Sequence, residues 1–77
     1  MFPRAVALLW VPVLSTDLSH ARYDEGAGAL RIRFHSGGVY EYYGVPRRVY
    51  DMLLAAPSKG KYFHQHIKGR YEFARIR

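Results

Sequence analysis

Four groups of residues in this chain have types and spacing that could do chemistry. His64 and His66 form an H-x-H pair, Lys59-Gly60-Lys61 has the look of a phosphate loop, Ser15, Asp17 and His20 combine triad residue types, and cations cluster after Pro57. On a strand the two histidines would share a face and could hold a metal. On the helix expected here they stand about 200° apart, unlike the i, i+4 pair of a metalloprotease helix. No acidic residue lies between Asp51 and Glu72, so no carboxylate ligand is at hand, and no metal or other cofactor is expected. A P-loop needs an earlier glycine and a Ser or Thr after the Gly-Lys pair; Ala55 and Tyr62 occupy those slots, and the motif fails. Ser15, Asp17 and His20 are close in sequence, but triads are assembled by the fold, and a turn or helix cap accounts for Ser15 to Asp17.

What remains is positive charge. Between Pro57 and Arg77 there are six Lys or Arg and one acid, with Tyr62, Tyr71 and Phe73 interleaved. Cations hold phosphates and rings stack on bases, so this is the pattern of a nucleic-acid contact. The expected phosphate-holding residues are Lys59, Lys61, Lys68 and Arg70, with Tyr62 or Tyr43 as the stacking ring. Arg31 and Arg33 add charge on the sheet.

The elements that must position these residues fit in one domain. The chain has 77 residues, twelve Lys and Arg against six Asp and Glu, and no cysteine. A thiolate zinc site and a disulfide framework are both excluded. Seven Tyr, four Phe and one Trp compensate for the thin core of so short a chain. The formal charge of +6 favours anionic partners, either RNA or an acidic protein surface. Ala5 to Leu14 is the most apolar stretch, too short to span a bilayer, which needs about 20 residues. With one basic residue ahead of it, it also makes a weak secretion signal. It reads as a strand ending at Pro12, which suits a sheet edge, and no membrane association is expected. The reading is of a cytoplasmic protein.

Leu18 to Tyr23 reads as a strand with weak alternation, closed by a turn at Asp24 to Gly28. Ala29 to His35 alternates cleanly, with Leu30, Ile32 and Phe34 on one face and Arg31, Arg33 and His35 on the other. A three-residue loop at Ser36-Gly37-Gly38 would pair Phe34 with Tyr40, Ile32 with Tyr42 and Arg33 with Glu41, matching apolar with apolar and plus with minus. Tyr40 and Tyr42 then face the core, and Tyr43 the outside. Pro46 opens a helix to Ala56 with an apolar stripe of Val49, Met52, Leu53 and Ala56, and Pro57 stops it. Ser58 caps a second helix to about Lys68, with Phe63 and Ile67 inward and Gly69 at its end. Tyr71 to Phe73 allows a short last strand. The fold class is α+β: an antiparallel sheet of three or four strands covered by one helix, then a short basic helix.

Leu30-x-Ile32-x-Phe34, Gly38-Val39-Tyr40-Glu41-Tyr42, Val45-Pro46 with Val49-Tyr50, then Ala56-x-Ser58-Lys59-Gly60-Lys61-Tyr62-Phe63, Ile67 and Tyr71 closely resemble the KTSC domain. Val13-Leu14-Ser15-Thr16-x-Leu18 and Tyr23-Asp24 are similar to its opening, so the resemblance covers about residues 11–72 and leaves the first ten outside as an added strand or extension. That family is named for an appendage of some lysyl-tRNA synthetases and also occurs as short bacterial and phage proteins. The resemblance carries over no defined activity; RNA binding is what the attachment to a synthetase implies. The expected function is therefore a non-catalytic nucleic-acid-binding module. Its rivals are a protein-interaction module of a bacterial or phage assembly, and a small metal-independent ribonuclease. The last requires His64, Tyr62, Arg70 and Tyr71 to converge on one cleft.

Overall fold

The alternating residues of the middle of the chain pair into a sheet whose one greasy face takes both helices. The computed structural model describes residues 9–77. Five strands lie in chain order across one antiparallel sheet: β1 (Val11–Pro12), β2 (Leu18–Asp24), β3 (Ala29–Phe34), β4 (Val39–Tyr42) and β5 (Phe73–Arg75). Two helices, α1 (Arg47–Ala55) and α2 (Lys59–His66), fall between β4 and β5. The sheet thus has five strands, where alternation suggested three or four. Both short edges are formed: β1 pairs where a strand ending at Pro12 was expected, and β5 falls at Phe73–Arg75, beginning where the expected Tyr71 to Phe73 strand was to end. The apolar run expected as a strand from Ala5 is paired only at Val11 and Pro12 among the described residues, and its start lies outside them.

The β3–β4 hairpin keeps the expected faces with a different register. Phe34 N–H donates to Gly38 O and Gly37 N–H to Phe34 O, so the three-residue loop is His35 to Gly37. Gly37 supplies the positive φ, 104°, that an L side chain rarely adopts. Leu30 therefore sits opposite Tyr42, Ile32 opposite Tyr40, and Arg31 opposite Glu41, a slip of two residues from the expected pairing. A slip of two leaves every side chain on its own face. Arg31, and not Arg33, takes the carboxylate: its Nε lies 2.8 Å from Glu41 Oε2. The weak alternation of β2 also has a cause, since a bulge between Leu18 and His20 puts Leu18, Ala21 and Tyr23 all inward.

The core joins Leu18, Ala21, Tyr23, Leu30, Ile32 and Tyr42 of the sheet to Val45, Val49, Tyr50, Leu53, Phe63 and Ile67. On α1 the buried face is Val49, Tyr50 and Leu53, and Met52 of the expected stripe is 56% exposed. The helix is rolled toward Tyr50 because its ring stacks on Tyr23 of β2, with centroids 5.2 Å apart and planes at 14°. Ala56 leaves the helix in extended geometry (φ −68°, ψ 137°), as a residue before proline must. Ser58 Oγ accepts from Lys61 N–H and caps α2, as expected. That helix stops at His66, short of Lys68, and Gly69 turns the chain with φ 79°. Ser15 makes a turn: its Oγ accepts from the N–H groups of Asp17 and Leu18.

Candidate nucleic-acid interface

Helix α2 decides where the basic residues go. Phe63 and Ile67 hold it to the sheet, and its remaining side chains divide between its two flanks. On one flank His64 and Lys68 stand beside a cleft of about 550 Å³ between the helix and the β4–β5 end of the sheet. Phe34, Tyr40, Tyr42, Phe63 and Phe73 make its apolar surface. The rings interlock: Phe63 meets Phe34 and Tyr42 edge to face, at 5.4 and 5.6 Å, and Phe73 lies 6.0 and 5.7 Å from Tyr40 and Tyr42. Tyr42 and Phe63 are buried and form the floor; Tyr40 is half-buried, and Phe73 is 56% exposed. Burial, with Tyr40 beside it, pushes the Tyr42 phenol up to about 12. The guanidinium of Arg75 lies 5.6 Å from the centre of the Tyr40 ring. Among the described residues, no carboxylate lines this cleft.

The opposite flank of α2 carries a second groove, of about 450 Å³, where Tyr62, His66, Arg70 and Tyr71 meet Arg48 and Met52 of α1. The Tyr62 and His66 rings lie 4.5 Å apart. The nuclease grouping is therefore not assembled: Tyr62, Arg70 and Tyr71 share this groove, and His64 opens onto the other flank. His64 and His66 likewise diverge, as the helical spacing requires. Near the start of α2, Lys59 and Lys61 share a recess with Ser15, Asp17 and His64.

The eight residues expected at a nucleic-acid contact thus occupy several surfaces. Lys61, Lys68 and Arg70 are exposed around α2 and its following turn, and the three ion pairs among the described residues involve none of them. Lys59 Nζ donates to Ala56 O at 2.8 Å and so closes the end of α1. Tyr62 is half-buried against His66. Tyr43 stands at the sheet margin, its hydroxyl donating to Glu41 Oε1 at 3.1 Å, beside Arg70 and Tyr71. Arg31 and Arg33 are on the sheet face away from the helices, Arg31 paired with Glu41 and Arg33 reaching Trp10. The cleft rings Phe34 and Tyr40 are legible in the sequence only as core residues, since alternation does not tell a covered ring from one at the end of the helical cover. Phe73 stands out there by its basic neighbours.

The chain is similar to known proteins over most of its length. The model of the KTSC domain matches residues 14–71. The chain is 46% identical over 55 residues to a lysine–tRNA ligase of Trichormus variabilis, a stretch that is 71% of this chain and 10% of the ligase. The chain therefore spans about a tenth of the length of that relative. It is 42% identical over 60 residues to a protein of Tsukamurella paurometabola, covering 78% of this chain and 90% of that one. The crystal structure of a KTSC domain protein from Yersinia pestis superposes with a TM-score of 0.87 at 35% identity, over 90% of this chain and 97% of that one.

Proposed function

The chain belongs to the KTSC domain family, and on that premise we propose that it is a non-catalytic module that binds single-stranded RNA in the cleft between α2 and the β4–β5 edge. The observation that carries this reading is the pairing of exposed and half-exposed rings, Phe73 and Tyr40, with a rim of cations and no carboxylate. Unpaired bases offer flat faces to such rings, and the phosphates that follow them meet Lys68 and Arg75. Lys61 and Arg70 lie on other surfaces around α2 and add to the overall positive charge without lining this cleft. The match to part of a ligase named for a tRNA supports RNA over other polyanions. The module would act in the cytoplasm beside its RNA. Among the described residues no helix is long and apolar enough to cross a membrane.

The test is a titration of a labelled, unstructured oligoribonucleotide against wild type, Phe73→Ala and Lys68→Ala at several salt concentrations. Wild type should bind more tightly than about 10⁻⁴ M at physiological salt, and affinity should fall as salt rises. Phe73→Ala should lose about 1–3 kcal/mol, the usual worth of one stacked base. Binding weaker than that limit, or unchanged in both variants, removes the proposal. A pull-down from lysate that still recovers one protein after nuclease treatment would instead favour an acidic protein partner.

A further inference from the structure

The face of the sheet turned away from the helices carries a separate constellation centred on Trp10, which precedes β1 and lies outside residues 14–71 of the family match. The guanidinium of Arg22, from β2, lies 5.3 Å from the centre of the Trp10 ring, and that of Arg33, from β3, lies 5.5 Å from it. His20 meets the same ring edge-on at 6.4 Å. Arg22 also sits directly opposite Arg31 in the β2–β3 register. Like charges so placed oppose each other, and Glu41 is paired with Arg31 at 2.8 Å. The Asp24 carboxylate is turned into its own loop, accepting from Gly26 and Ala27 N–H. Among the described residues, therefore, neither Arg22 nor Arg33 has a carboxylate partner.

A guanidinium laid on an aromatic ring is held in place by its flat face while its N–H edge stays free, and that fork matches the oxygens of a phosphate. Two guanidinium groups within 5.5 Å of one indole, neither paired with a carboxylate, gather positive charge at one place on this face of the sheet. We infer that this face is a second phosphodiester-binding surface, so that one domain holds two separate segments of RNA, one on each side of the sheet. The inference rests on the RNA-binding reading above, and charge complementarity selects its occupant. The cleft and the Trp10 face lie on opposite sides of the sheet, so a short oligonucleotide reaches one of them at a time.

Trp10 is the single tryptophan of the chain and does not line the cleft, so its emission separates the two surfaces. The experiment titrates a labelled uridine hexanucleotide, following label anisotropy and Trp10 fluorescence, with circular dichroism confirming that each variant is folded. Wild type should bind two hexamers per domain, with a change in Trp10 emission. The Arg22→Ala, Arg33→Ala double variant should bind one, without that change, and keep cleft affinity within about twofold; its salt slope, measured with a longer strand, should drop by about 0.7 for each phosphate left without its cation. Phe73→Ala with Lys68→Ala should bind one hexamer and keep the Trp10 change. The Arg22→Lys, Arg33→Lys variant, which keeps the charge and removes the fork, should show weakened binding on this face. One hexamer per domain, insensitive to the arginine variants and silent at Trp10, overturns the inference and leaves the cleft standing. No hexamer bound at all removes both, and a Trp10 response to polyglutamate without one to RNA overturns the inference in favour of an acidic protein.

Discussion

Raising the pH should destabilise this domain in part through the floor of its cleft, and Tyr42→Phe should remove the share of that sensitivity that Tyr42 carries. Tyr42 is 5% exposed, and its burial beside Tyr40 lifts its phenol from 10.0 to about 12. The neutral phenol is the form the folded chain holds, so the folded state keeps this proton more tightly than the unfolded one. The stability linked to it is therefore fully present below the unfolded value and is lost as pH climbs through the interval between the two. At 1.36 kcal/mol per unit the ceiling is about 2.7 kcal/mol, and about half of it is gone near pH 11. Tyr23 and Tyr50 are also raised, chiefly by burial, but both remain in Tyr42→Phe, so the difference between the two proteins isolates Tyr42. Urea unfolding followed by circular dichroism measures it. At neutral pH the two should differ by no more than about 1 kcal/mol, and near pH 11 the variant should have gained about 1.4 kcal/mol relative to wild type. Parallel losses in both proteins would refute the assignment of a proton-retaining phenol to the floor of the cleft.

Two further substitutions test the packing around the site. Met52→Gln should change stability by no more than about 0.5 kcal/mol, whereas Tyr50→Ala should cost about 3 kcal/mol or more, because Tyr50 and not Met52 is the buried member of α1; urea midpoints that rank the two the other way would restore the stripe read from spacing. Ser58→Ala removes the acceptor for Lys61 N–H and should cost about 1 kcal/mol by the same assay, with a matching rise in hydrogen exchange across the first turn of α2.

Strand faces, helix positions and the excess of charge were written in local spacing. Leu30, Ile32 and Phe34 alternate with Arg31 and Arg33, and that period of two sends Tyr40 and Tyr42 to the same side whichever even register the hairpin adopts. Pro46, Pro57 and Ser58 punctuate the two helices through backbone chemistry that needs no neighbour. Everything that depended on a distant partner had to wait for the fold. The roll of α1 follows from a ring on β2, the pairing of Glu41 with Arg31 from where the loop closes, and the bounds of the edge strands β1 and β5 from ladders built on β2 and β4. The cleft exists because the helical cover stops before the sheet does, and the Trp10 clamp because two strands bring Arg22 and Arg33 to one ring. Periodicity reports which way a side chain points; only the folded chain settles what stands in front of it.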